Sequence, residues 1–203
     1  MKKLILFDWG NVLQKADGHV IIDELAELCK PTDKHMFEEF IFDYLFNTLR
    51  GIKFDNYVAN QLSASGCNVT VKQFKDLYID VMYRNSTYGE VYTLAKDLKK
   101  TAGCKLGILS NQCILDIDNI SRAIDLSTFD YFFLSGWLNT AKPCSEIYYL
   151  AEVITHTNPK DILFIDDNPA NILTAKQLGW NTIQATYDDA DVIREKCFSF
   201  LNT

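Results

Sequence analysis

Five short apolar runs stand out along the chain: Leu4–Phe7, Leu106–Leu109, Tyr131–Leu134, Ile162–Ile165 and Thr182–Ala185. Each is bounded by polar or small residues, and helix-like segments separate them. That pattern predicts parallel strands buried on both faces, hence an α/β sheet with helices on either side. Charge punctuates the fourth run at both ends, with Asp161 before it and Asp166-Asp167 after it.

The intervening segments carry helix start and stop signals. After Asp167 come Asn168, a capping residue, and Pro169, suited to a first helical position; ANILTAKQL follows, and Gly179 ends the helix. Ser145 is a reasonable N-cap for EIYYLAEVI. The stretch GEVYTLAKDLKKTAG places Val91, Leu94, Ala95 and Leu98 on one face, with lysines in the last turn.

Between the first run and that helix no strand-like alternation occurs. Helical spacing is found instead over Val20–Cys29, Lys34–Leu49, Asn56–Ser63 and Val71–Tyr83. The second of these is dense in aromatics (Phe37, Phe40, Phe42, Tyr44, Phe46), a stripe read as packing rather than a cofactor site. The predicted organisation is an α/β core of residues 1–16 and 86–203, interrupted by a helical insert of residues 17–85.

Composition narrows the function without choosing it. Over 203 residues, hydrophobic residues make up 48% and charged residues 23%, as in an ordinary globular protein long enough for a sizeable core. A net charge of −7, from 20 basic and 27 acidic residues, argues against a general nucleic-acid or anionic-membrane binder and favours small substrates or proteins as partners. Cysteines at 29, 67, 104, 113, 144 and 197 form neither a C-x-x-C pair nor a cluster with histidines, so reduced thiols in a cytoplasmic protein are expected. The apolar stretch after Lys2-Lys3 is too short for a secretory signal, and no run reaches transmembrane length.

In open α/β sheets, ligands bind beyond the carboxyl ends of the strands. Here the first run ends in Asp8, the second in Ser110-Asn111 and the fourth in Asp166-Asp167, while Lys142 stands in the loop region after the third. Each alone has a plainer use, as a turn residue, a cap or a solvated charge. Together they bring three carboxylates, a hydroxyl with an amide and one ammonium to a single edge. Carboxylates packed so closely resist ionisation unless a cation joins them. An oxygen-only donor set fits a hard ion, Mg²⁺ first. Such a site suits a phosphate group, with Asp8 able to act as nucleophile and form an acyl-phosphate.

The set FDWGNVL, LGILSNQ, AKPCSEIYYLA and ILFIDDNPANILTAKQLGW resembles the four motifs of the haloacid dehalogenase-like (HAD) hydrolase superfamily. The resemblance spans nearly the whole core. The DxGNV form of the first motif is most similar to the α-D-glucose-1-phosphate phosphatase-like branch, as is, less specifically, LRGIKFDNYVANQLS. It implies a Rossmann-like core with a helical C1-type cap inserted after the first strand. It also implies roles: Asp8 as nucleophile and Mg²⁺ ligand, Gly10 as a metal ligand through its carbonyl, and Ser110 with the Asn111 backbone N–H on the phosphoryl oxygens. Lys142 would neutralise Asp8 and the phosphate. Asp167 would be the main acidic metal ligand of its pair, Asp166 the lesser one, and Asn171 would stand behind them.

One departure is informative. Most phosphatases of the superfamily that the chain resembles carry a second aspartate two residues after the nucleophile, serving as general acid and then base. Gly10 occupies that position and moves no proton, a loss of typically ~10²–10⁴-fold in rate unless offset. A good leaving group, such as that of a sugar 1-phosphate, or a donor from the cap or a water would offset it. The same glycine disfavours a mutase, and with Asp166-Asp167 it disfavours a dehalogenase. The expected function is a Mg²⁺-dependent phosphatase acting on a small phosphorylated metabolite, a sugar phosphate first. The alternative is a non-catalytic binding or regulatory protein; a flavodoxin-like binder is disfavoured because no glycine-rich phosphate loop follows the first strand. His19, Arg50 and Lys53 are possible substrate contacts from the insert, though plain surface residues are the commoner outcome at such positions.

Overall fold

The computed structural model describes residues 3–46, 54–101, 103–112 and 120–203. The first half of the chain forms β1 (Leu4–Phe7), β2 (Gln14–Ala16), α1 (Gly18–Cys29), α2 (Lys34–Phe46), α3 (Phe54–Ala64), α4 (Val71–Arg84), β3 (Ser86–Tyr88) and α5 (Glu90–Thr101). The second forms β4 (Lys105–Ser110), a 3₁₀ turn (Leu126–Thr128), β5 (Tyr131–Leu134), α6 (Ser135–Leu138) and α7 (Ser145–Thr155). A second 3₁₀ turn (Pro159–Asp161), β6 (Ile162–Asp166), α8 (Pro169–Gln177), β7 (Asn181–Gln184) and α9 (Ala190–Leu201) complete it.

Two compact units result. One comprises Met1–Lys15, Thr87–Asn111 and Asp125–Thr203; the other comprises Ala16–Ser86 and Gln112–Ile124. Of the segment 112–124, which the sequence boundaries give to the core, the described residues fall in the second unit. A contact within the second unit explains part of this: the Arg122 guanidinium lies 5.3 Å from the ring centre of Tyr83 on α4.

The first unit is built on a five-stranded sheet in the order β5-β4-β1-β6-β7, with every neighbouring pair parallel. β1 is central and all four of its residues are fully buried, as a strand covered on both faces requires. Gly107 in β4 permits close neighbours, since a Cβ there would lie 2.8 Å from Leu6 Cδ2. One face packs Leu4, Leu6, Phe133, Tyr148, Phe164 and Trp180 into a single cluster. Within it the Tyr148, Phe164 and Trp180 rings meet edge to face at 5.2 to 6.1 Å. Chain order reverses beside β1, with β4 and β5 built on one side and β6 and β7 on the other. The carboxyl ends of β1, β4 and β6 therefore converge on the crevice where such sheets bind ligands.

The second unit has its own core, in which α1 contributes Ile21, Leu25 and Cys29, α2 Phe37 and Phe40, and α4 Phe74 and Tyr78. A capping box starts α4: the Thr70 hydroxyl accepts from Gln73 N–H, and the Gln73 side chain accepts from Thr70 N–H. Phe37 and Phe40 are packed as the aromatic stripe predicts, but Phe42 is exposed. Residues 47–49 of the predicted second helix, with Arg50 and Lys53, lie outside the described residues. β2 and β3, which pair into a two-stranded sheet, lie just outside the predicted helical insert of residues 17–85, in segments where no alternation shows. Among the described residues no helix is long and apolar enough to cross a membrane.

Candidate active site

β1 delivers Asp8, whose N–H donates to Ile165 O at 2.8 Å, so that the residue continues the ladder to β6. A turn follows at once, because Trp9 O accepts from the N–H groups of Leu13 (3.0 Å) and Gln14 (2.9 Å). Trp9 itself is buried, its ring 5.5 Å from that of Tyr88. Asn11 takes the left-handed conformation at φ +57°. At Gly10 an added Cβ would meet nothing within 4 Å.

Asp8 Oδ1 accepts hydrogen bonds from Trp9 N–H at 2.7 Å and from the Ser110 hydroxyl at 2.6 Å, and lies 2.9 Å from Lys142 Nζ. All three contacts fall on Oδ1, so among the described residues that oxygen is fixed while Oδ2 carries no such bond. Lys142 is buried and bridges two carboxylates, its ammonium also standing 2.6 Å from Asp166 Oδ2 and 5.3 Å from the Phe164 ring centre. Asn111 holds this lysine by its backbone, donating from Nδ2 to Lys142 O and accepting at Oδ1 from Lys142 N–H, both at 2.8 Å. The peptide bond from Lys142 to Pro143 is cis.

Asp166 is fully buried and fully engaged. Besides Lys142, its carboxylate accepts from Asn168 N–H at 2.8 Å and from Asn171 Nδ2 at 3.1 Å to each oxygen. Asn171 is fixed in turn, since its carbonyl accepts from the buried Tyr148 hydroxyl at 3.1 Å. Asp167 is half-buried, and Asn11 Nδ2 donates to its Oδ2 at 3.1 Å.

Burial pushes the Asp8 carboxyl up to about 7, with the neighbouring Asp166 charge adding to the shift and Lys142 and Ser110 opposing it. For Lys142, burial alone would favour the neutral amine. The charges and hydrogen bonds of Asp8 and Asp166 outweigh it and hold the ammonium above the usual lysine value. Asp8, Asp166 and Asp167 each offer one oxygen, and the three oxygens lie within 4.8 Å of one another. Lys142 places one positive charge against these three carboxylates. The donor set is all oxygen, has spare negative charge and is partly buried, which fits a hard divalent cation.

The structure thus brings Asp8, Ser110, Lys142, Asp166 and Asp167 together, with Gly10 and Asn111 one or two residues along the chain. His19 lies in the second unit, on α1. Sequence reasoning left Asn11 without a role and did not see the Asn111 side chain as the clamp on Lys142. An asparagine after a glycine, in the turn that follows a strand-end aspartate, was the available signal for the former.

Residues 11–185 match the model of the haloacid dehalogenase-like hydrolase family. The chain belongs to that family. A D-ribitol-5-phosphate phosphatase of Bacteroides thetaiotaomicron is 22% identical over 190 residues, covering 91% of this chain and 92% of the relative. Among solved structures, a haloacid dehalogenase-like enzyme of B. thetaiotaomicron in complex with magnesium and inorganic phosphate superposes with a TM-score of 0.73 at 21% identity, covering 90% of this chain and 93% of the other. A predicted HAD-like family hydrolase of Porphyromonas gingivalis matches with the same score and identity over 97% and 98%. These likenesses carry the haloacid dehalogenase-like fold across almost the full length of the chain.

Proposed function

We propose that this haloacid dehalogenase-like protein is a Mg²⁺-dependent phosphatase that hydrolyses a small phosphorylated metabolite, a sugar phosphate or its close chemical kin. The observation that carries the reading is the Asp8 carboxylate with Ser110 and Lys142 both on one oxygen, beside a second and third carboxylate. The D-ribitol-5-phosphate phosphatase of similar sequence supports the same reaction class.

In the reaction, an Asp8 carboxylate oxygen bonds to phosphorus as the ester P–O bond breaks, and the leaving oxygen departs with the bonding pair. Water then attacks the phosphorus of the aspartyl-phosphate, releasing inorganic phosphate and restoring Asp8. The Ser110 hydroxyl and the Asn111 N–H hold the phosphoryl oxygens. Lys142 balances the charge of Asp8 and of the phosphate, and Asp166 and Asn111 keep it in place. Mg²⁺ would be held by the Asp8 and Asp167 carboxylates and the Gly10 carbonyl, with Asp166 the lesser candidate because its oxygens already serve four donor contacts; when bound it supplies positive charge opposite the phosphate. Residue 10 brings no proton to the leaving oxygen, which favours substrates whose leaving group departs as a stable anion, as an anomeric sugar oxygen does.

The test is phosphate release over a panel of phosphorylated metabolites and p-nitrophenyl phosphate, with and without Mg²⁺. Activity that needs Mg²⁺ and falls by at least about a thousandfold in Asp8→Asn is expected. Phosphate binding without turnover of any substrate would instead favour the binding or regulatory reading that Gly10 raises.

A further inference from the structure

The three clustered carboxylates are supported unequally. Asp8 receives a backbone N–H, a hydroxyl and an ammonium; Asp166 receives an ammonium, a backbone N–H and an amide. The Asp167 carboxylate has a single hydrogen-bond partner among the described residues, Asn11 Nδ2 at 3.1 Å. Gln184 reaches only the Asp167 backbone carbonyl, at 3.4 Å.

Asn11 is itself held in an unusual way. Its φ of +57° lies in the left-handed region, which glycine adopts freely and asparagine tolerates. Its carbonyl accepts from Tyr187 N–H at 2.5 Å, tying the turn after β1 to the loop after β7. Glycine would satisfy that backbone with less strain, so the dihedral alone gives no reason for an amide side chain. What asparagine adds is a donor directed at a carboxylate 156 positions away in the chain.

We infer that Asn11 is a positioning residue for the divalent-cation site: it fixes the orientation of Asp167 so that one carboxylate oxygen stays within reach of those of Asp8 and Asp166. The inference rests on the metal reading given above and adds a residue to it. A half-buried carboxylate without a partner samples several rotamers, and a cation binding to it must first select one. A fixed carboxylate has already met that entropic cost, and partners of this kind typically govern metal affinity about 10–100-fold.

Asn11→Gly is the decisive variant, because it keeps the left-handed backbone and deletes only the amide. Titration calorimetry of the full chain with Mg²⁺ alone should show the dissociation constant rising about tenfold. The melting temperature of the metal-free protein should not fall, and kcat at saturating Mg²⁺ should stay within about twofold of the parent. Wild-type Mg²⁺ affinity in Asn11→Gly would overturn the positioning role alone. Weaker affinity accompanied by a lower metal-free melting temperature would overturn it too, by showing that the amide merely holds the fold. If the parent protein takes up no Mg²⁺, the metal reading fails and the positioning role falls with it.

Discussion

At the scale of single residues, the chemistry proposed for the site turns on what stands two positions after Asp8. Gly10 has no side chain to carry a proton, yet a Cβ there would meet nothing within 4 Å. Its φ is not in the positive range, so an L-residue fits the backbone as well as the space. Gly10→Asp should therefore fold like the parent and gain a proton carrier near the reacting bond. Hydrolysis of an alkyl phosphate such as glycerol phosphate is expected to rise by about 10²-fold, while p-nitrophenyl phosphate, whose leaving group needs no proton, changes little. A plot of log kcat/KM against leaving-group pKa measures this directly: steep for the parent and flatter for the variant. Equal slopes would show that another group already protonates the leaving oxygen.

Among elements, Asp130 shows how charge anchors the sheet. It stands just before β5, donates its N–H to Leu106 O at 2.7 Å and accepts from Leu106 N–H at 3.0 Å, closing the start of β5 onto β4. Lys99 at 2.7 Å and Lys105 at 2.8 Å flank the carboxylate. Partial burial works to raise its pKa, but the two lysines and the Leu106 N–H prevail and bring it to about 2. A carboxyl depressed when folded binds fewer protons than when unfolded, so it contributes stability above pH 4 that is lost as pH falls toward 2. Asp130→Asn should cost about 1–2 kcal/mol at pH 7, after allowance for solvent screening, and close to nothing near pH 2. Urea unfolding at the two pH values would measure the difference. The same scale shows what could be read from the chain beforehand. β1, β5 and β6 are legible because nearly every position in them is apolar. β7 begins and ends one residue earlier than its predicted run, because the backbone of Asn181 pairs in register with Leu163 of β6 despite the polarity of its side chain, which bonds Lys160 O and Ile162 O. β2 and β3, three residues each, are too short for alternation to show. Strand-end residues such as Asp8 and Ser110 could be placed at one edge from order alone. The partners of Asn11 and Asn111 could not, because an amide's partner is set by which distant loop comes within 3 Å.

For the whole molecule, the important fact is that, among the described residues, two of its hydrophobic clusters are each confined to one unit. The cluster around Tyr148 and Phe164 draws on the first unit alone, and that around Phe40, Phe74 and Tyr78 on the second alone. Phe74 is fully buried, with ring centres 5.5 Å from Phe40 and 6.1 Å from Tyr78. Phe74→Ala should destabilise the second unit by about 3–5 kcal/mol and leave the first core intact. Calorimetry would then find a van't Hoff enthalpy below the calorimetric one, as the two units cease to melt together. The open space at Gly10 bears on the molecule's history as well. Each glycine codon lies one base from that of an acid, aspartate for two of them and glutamate for the other two, so a form of this protein with an acid two residues after the proposed nucleophile is one nucleotide away and needs no prior repacking. If residue 10 acts on the leaving group as proposed, selection moves the enzyme between easy and difficult leaving groups in one step, in either direction, with the rest of the chain unchanged.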